Sequence, residues 1–240
     1  MERSEVVVAA RTGALVLAIA VFVGVLYPAP SAILFLGVVT GALSALIAMG
    51  LVLVYRANRV VNFAQGDMGA MASVLAASLI VGWELNFWLA AAIGLAAAIA
   101  TGFLVEVGVI RRFKNAPRLI LTVATIGVSQ LLSFVQLGLP KLFDFDQAPQ
   151  PPQPFDFEFK WFPLILNGGH LLIVIVVPIV AVGLAMFFRR SRVGIAVRAS
   201  SESSTRASLL GIPVNRVNTL VWVLASGMSG IGVLLRLPIQ

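Results

Sequence analysis

The sequence predicts an all-α, polytopic membrane protein, about seven transmembrane helices with a short cytoplasmic helix in one connecting loop. Three observations predict it. Of 240 residues, 60% are hydrophobic and 11% charged, and the mean hydropathy is +1.01, more apolar than a water-facing surface requires. The apolar residues fall in seven runs, 13–27, 32–55, 66–81, 87–110, 119–138, 169–188 and 217–235. Most approach the roughly 20 residues that cross a hydrocarbon core about 30 Å thick. The runs are rich in Ala and Leu without period-two alternation, so helices satisfy their backbone groups in lipid, not strands.

The formal charge of +7 is distributed by topology. With the N-terminus inside, fourteen Arg and Lys fall on inner segments, from Arg3 and Arg11 through Arg56, Arg59 and Arg111 to Arg216. Only Lys141, Lys160 and Arg236 remain outside. This asymmetry orients the chain in the cytoplasmic membrane, N-terminus inside, and removes nucleic acid as the explanation of the basic balance. Glu2 and Glu5 fit a cleaved signal peptide poorly, so the first helix is expected to be retained. There is no cysteine, which excludes disulfides and thiolate ligands. The single His170, where the sixth run meets the outer face, is expected to be an interfacial residue and no metal ligand.

The third run is short. Asn62-Phe63-Ala64-Gln65-Gly66-Asp67 precedes it, and Asn62 with Gln65 resembles a capping box, with Asp67 suited to the positive helix N-terminus. The alternative is a broken helix beside a transport path. In the fifth run Thr122, Thr125, Ser129, Ser133 and Gln136 fall within an arc of about 80° at roughly 100° per residue. Such a stripe either lines a translocation pathway or hydrogen-bonds across packed helices. Being uncharged, it argues against an ion or proton pump. Asn62, Gln65, Thr122, Thr125, Ser129 and Ser133 are the candidate pathway residues. Small residues repeat at Gly37, Gly41, Ser44, Ala45 and Ala48, around Gly94, and at Ser226, Gly227, Gly230 and Gly232, where close helix packing is expected. Glu106 with Arg111 and Arg112 is expected to be a snorkelling pair at the interface.

Outside, segment 139–165 holds the polyproline-like Ala148 to Pro154 and a period-two stretch. That alternation sets Phe155, Phe157, Phe159 and Trp161 on one face and Asp156, Glu158 and Lys160 on the other, an aromatic belt or a docking surface. Inside, segment 189–216 is polar and basic, and Ser200 to Leu210 suggests a helix stopped by Gly211-Ile212-Pro213. A helix showing Leu209 and Leu210 amid charge is a candidate docking element. Catalytic constellations and a G-x-x-x-x-G-K-[ST] phosphate loop are missing from the sequence, so an enzyme is not expected, and ATP, if it drives the protein, binds elsewhere.

Two stretches carry a family resemblance. Gly50 to Gly66, GLVLVYRANRVVNFAQG, resembles the signature of branched-chain amino-acid ABC transporter permeases, and Leu85-Asn86-Phe87-Trp88 and Ala124-Thr125-Ile126-Gly127 are similar to that family too. The second stretch runs from Gly194 to Arg216, with Arg198-Ala199, Leu210-Gly211-Ile212 and Val214-Asn215-Arg216 at the family's spacing. The resemblance implies one permease domain over 1–240 whose loop seats on an ATPase, with Gly194, Arg198, Ala199, Arg206, Ala207, Leu209, Leu210 and Gly211 as docking residues. It implies ABC ATPase subunits, a second permease subunit and an extracytoplasmic solute-binding protein as partners. Cofactors are then none on this chain, ATP and Mg being used by the ATPase. Relatives commonly show Glu-Ala-Ala where this chain has Thr205-Arg206-Ala207, and they continue through a further Gly-rich region, so the family domain is expected to be C-terminally incomplete here. The implied solutes are branched-chain amino acids or similar small polar molecules such as amides and urea. An ATP-independent transporter or channel, and a membrane-embedded enzyme, are the rival readings.

Overall fold

A computed structural model describes residues 11, 13–16, 18, 19, 21, 22, 24, 30–113, 116–152, 154, 155 and 157–239. Six helices among the described residues are long and apolar enough to span a membrane, and the chain is a polytopic helical membrane protein. They are α1 (Ser31–Asn58), α2 (Gln65–Gly82), α3 (Phe87–Val105), α4 (Arg118–Gly138), α5 (Gly168–Arg190) and, after two short helices, α8 (Val214–Leu234). The short ones are α6 (Arg192–Glu202) and α7 (Ser204–Leu209). Of the expected first span, 13–27, positions 17, 20, 23 and 25–27 lie outside the described residues, as do Lys114 and Asp156.

The centre of the bundle is α2, α3 and α8, which pack on one another, with α1 also against α8 and α4 against α2. Over half of the spanning windows of α2 and α8 is buried, 56% each, against 11% for α5, which rides on the outside of α1. Small residues set these crossings. A Cβ on Gly94 would stand 2.3 Å from the Ala72 carbonyl oxygen, one on Gly69 2.6 Å from that of Ser229, and one on Gly102 2.8 Å from that of Trp222. No methyl group fits at such distances, so α2, α3 and α8 meet backbone to backbone as small-residue interfaces in lipid do. The expectation for α3 and α8 holds. The small face of α1 differs: Gly37, Gly41, Ser44, Ala45 and Ala48 are all exposed, and a Cβ on Gly37 or Gly41 would meet nothing within 4 Å.

Segment 158–167 is a two-stranded antiparallel hairpin, β1 (Glu158–Trp161) and β2 (Leu164–Asn167), with Glu158 opposite Asn167. The alternation in this stretch predicts only an aromatic face, and the strand pairing is an addition to the all-α expectation. Trp161 lies against Phe35 with ring centroids 5.9 Å apart, and Phe155 against Trp88 at the same separation. His170 belongs to the start of α5: the Asn167 side chain accepts from the His170 N–H, and His170 Nδ1 accepts from the Asn167 N–H, a reciprocal cap.

Candidate functional site

Among the described residues, three places gather most of the buried polar side chains of this apolar bundle. The first is the start of α2. Arg59, left-handed at φ 55°, ends α1, and the chain turns back into the bundle before α2 begins. Gln65 Nε2 donates to the Ala225 carbonyl at 2.8 Å, and Ser229 Oγ to the Gln65 carbonyl at 2.7 Å. Ala225 is eleven residues into α8, about 16 Å from that helix's start at roughly 1.5 Å per residue. Thus α2 opens well inside the span of its neighbours and crosses only the remaining depth, which is why its apolar run is short. Asn62 does not cap the helix in the expected way. Its Oδ1 accepts from the Ala64 N–H at 3.1 Å and its Nδ2 donates to Gln65 Oε1 at 3.0 Å, a turn that ties both amides into the fold. Asn62 and Gln65 are buried, 0% and 2% exposed.

The stripe of α4 faces this turn. Thr125 Oγ1 accepts from the Phe63 N–H at 3.1 Å and is fully buried. Thr122 bonds back to its own helix through the Arg118 carbonyl. Ser129 donates to Asp67 Oδ2, Ser133 to Oδ1 at 3.3 Å, and Gln136 Nε2 to the Asp67 carbonyl oxygen at 2.9 Å. The structure therefore gathers five of the six candidate pathway residues around one element, leaving Thr122 aside, and adds Asp67 as the partner of Ser129, Ser133 and the stripe's Gln136. An uncharged stripe was the expectation; Asp67 places a carboxylate against it. Asp67, Ser129 and Ser133 are half-buried, and neighbouring Gly66 and Phe63 are exposed, so the cluster opens at one side of the bundle. An ionisable group at this depth faces a polar path or a partner, because lipid would not solvate it.

The second place is the arginine-rich end of α3. Residues Glu106–Ile110 form a π-helical turn that puts residue i+5 over residue i. Arg111 Nη2 donates to Glu106 Oε2 at 2.7 Å and Nε to Oε1 at 3.2 Å. Thr219 Oγ1 on α8 stands 2.7 Å from Arg111 Nη2 and 2.9 Å from Glu106 Oε2. Glu106 is buried, so the expected snorkelling pair is instead an ion pair within one helix end, linked to α8 through Thr219. It lines a polar cavity of about 470 Å³ together with Asn58, Arg118, Ser200 and Asn218. Asn58 Nδ2 and Ser200 Oγ find no protein partner there.

The third place is 191–213. The expected helix from Ser200 to Leu210 is interrupted at Ser203, which is extended at φ −157°. Ser200 and Ser201 belong to the last turn of α6, which ends at Glu202, and the Ser203 side chain starts α7 by accepting from the Arg206 N–H. The stop is where the sequence put it: Gly211 has φ +80°, and the N–H groups of Ile212 and Gly211 reach the carbonyls of Ala207 and Ser208 at 3.0 Å, a Schellman closure. The eight expected docking residues divide in two. Gly194 lies under the Phe188 carbonyl, with room for no Cβ (2.0 Å); Arg198 Nη1 donates to that same carbonyl at 2.6 Å; Ala207 is buried and Ala199 half-buried. These hold the loop to α5 and the bundle. Arg206, Leu209, Leu210 and Gly211 are exposed, the two leucines 83% and 80%.

A bundle so built, with a polar helix break at depth and a capped loop showing paired leucines, has the form of a helical transport protein. The chain belongs to the family of the branched-chain amino acid transport system permease component, whose family model matches residues 33–237. Among its relatives is the high-affinity branched-chain amino acid transport system permease protein LivH of Escherichia coli K12, 33% identical over 161 residues, 62% of this chain and 50% of LivH. BraD of Pseudomonas aeruginosa, described in the same words, is 29% identical over 61% of this chain and 48% of its own length. A probable LivH of Methanocaldococcus jannaschii is 28% identical over 60% and 44%. The chain thus spans about half the length of the curated relatives it matches. No solved structure matches it.

Proposed function

We propose that this chain is a transmembrane subunit of an ATP-driven ABC importer that moves branched-chain amino acids, or similar small polar solutes such as amides and urea, across the cytoplasmic membrane. Its N-terminus and arginine-rich end face the cytoplasm, in keeping with the positive-inside rule. ATP and Mg are bound by a separate ATPase, which docks on 191–213; a solute-binding protein delivers from outside, and a second permease subunit completes the path. The observation that carries this reading is the outward-facing Leu209–Leu210 pair on a loop fastened from behind by Gly194, Arg198 and Ala207. An apolar pair held rigid in the aqueous phase suits a partner that pushes on it.

The solute path runs past the helix break. Asn62, Gln65 and Thr125 shape it from behind, and Asp67, Ser129 and Ser133 face it. A zwitterionic solute offers an ammonium group to Asp67 and hydroxyl-bonding oxygens to the serines, and an apolar side chain to Phe63. ATP-driven closure changes how α2, α4 and α8 meet at this point, which alters affinity between two states. The test is association with the purified cognate ATPase and leucine uptake in vesicles, for wild type and Leu209→Glu/Leu210→Glu. Loss of both ATPase binding and uptake, with insertion intact, is expected; ATP-independent uptake undiminished in the variant would support a secondary transporter or channel instead.

A further inference from the structure

Between α1, α5 and α6 runs a groove of about 810 Å³; of its lining, only Phe188 and Arg198 take part in the loop described above. Its walls are apolar, Ala45, Ala48, Val52 and Leu53 on α1 and Leu184 and Phe188 on α5. One end is ringed by Arg56, Arg59, Arg189 and Arg198. Ala45 to Leu53 covers about 12 Å of membrane depth at roughly 1.5 Å per residue, and the arginines sit where α1 and α5 leave the membrane. Arg198 is engaged with the Phe188 carbonyl. Arg56, Arg59 and Arg189 form no ion pair among the described residues, and no carboxylate lines the groove; Glu202 lines the adjoining hollow beside Arg59.

We propose that this groove binds one anionic phospholipid, its phosphate on Arg56, Arg59 and Arg189 and an acyl chain along the small-residue face of α1. The two halves of the groove together select the occupant. A free anion has no use for the apolar wall, and an apolar helix would leave three guanidinium groups without counter-charge. Basic pockets between transmembrane helices hold anionic headgroups by this chemistry. The placement adds a consequence: the lipid would bridge α1 and α5 to α6, the base of the 191–213 loop.

Native mass spectrometry of the detergent-purified chain, titrated with phosphatidylglycerol or phosphatidylcholine, tests this. Wild type is expected to retain one phosphatidylglycerol in preference to phosphatidylcholine, and inorganic phosphate to compete poorly. Arg56→Gln/Arg189→Gln should weaken phosphatidylglycerol retention roughly 30-fold, the size expected for two arginines near a lipid surface. Ala48→Leu, on an exposed position, fills the groove without changing charge; it should reduce retention too and serves if the arginine variant fails to fold. Equal retention of the two lipids, or retention unchanged in Ala48→Leu, overturns the proposal. So does equal displacement by inorganic phosphate, which would mean an anion site alone. Because the chain has no cysteine, Val52→Cys carries a single photocrosslinker; capture of another span or a second copy there, and no lipid, would make the groove a protein interface and also overturn it.

Discussion

Among the described residues, Glu106 and Asp67 are the two carboxylates that the apolar bundle takes inside, and they are held differently. Glu106 faces Arg111 and Thr219 in a closed bridge. Removing one partner of a buried pair leaves a charge without compensation, a cost of about 3–5 kcal/mol, and the half-open position of Arg111 moves this toward the lower end. Glu106→Gln should therefore lower the thermal unfolding midpoint in detergent clearly, whereas Thr219→Val, which keeps the pair, should cost only about 1 kcal/mol. Equal effects would mean that the bridge is not a unit. Asp67 is open on one side, and its hydrogen bonds from Ser129 and Ser133 survive in part in an amide. Asp67→Asn is expected to fold and insert yet to cut leucine uptake at least tenfold; unchanged uptake would reduce Asp67 to a packing residue. The stripe was legible in the sequence because hydroxyls at helical spacing stand out in an apolar run. Its partner was not, since a lone Asp at the start of a span has an ordinary explanation in the helix dipole, and only the depth of that start shows otherwise.

At the level of elements, apolar runs marked every described span to within a few residues, because lipid leaves the backbone no other choice. The breaks were harder. Ser203 divides α6 from α7 by a single extended residue, and four serines between Ser200 and Ser204 give no signal as to which one caps. The π turn at Glu106 has no sequence mark beyond the spacing of Glu106 and Arg111. The small-residue patterns of α1, α3 and α8 look alike in sequence but differ in the bundle, since composition does not say which face has a neighbour. Gly94→Val, aimed at the Ala72 carbonyl, should destabilise by more than the roughly 1–3 kcal/mol typical of overpacking, while Gly37→Ala should be neutral. A comparison of their unfolding midpoints decides this, and equal midpoints would contradict the packing described here. Gly211→Ala, strained at positive φ by roughly 1–2 kcal/mol, should loosen the α7 tip and weaken ATPase association without affecting insertion.

For the whole molecule, the inner bundle of α2, α3 and α8 is rigid by close backbone contact, and the polar break of α2 sits at its flank beside α4. On the proposed reading, force enters at Leu209–Leu210, passes through the loop base to α5 and α8, and reaches the cluster around Asp67. The decisive measurement is labelling of Gly66→Cys, the sole thiol in the chain, by a membrane-impermeant thiol reagent in vesicles carrying the assembled transporter, with and without leucine. Gly66 is exposed on the bundle flank beside Asp67, at a depth where lipid would shield it. Labelling from the aqueous phase and protection by leucine are expected. A cysteine that stays unlabelled in every state of the ATP cycle would place the α2 break against lipid or protein, and would contradict the pathway.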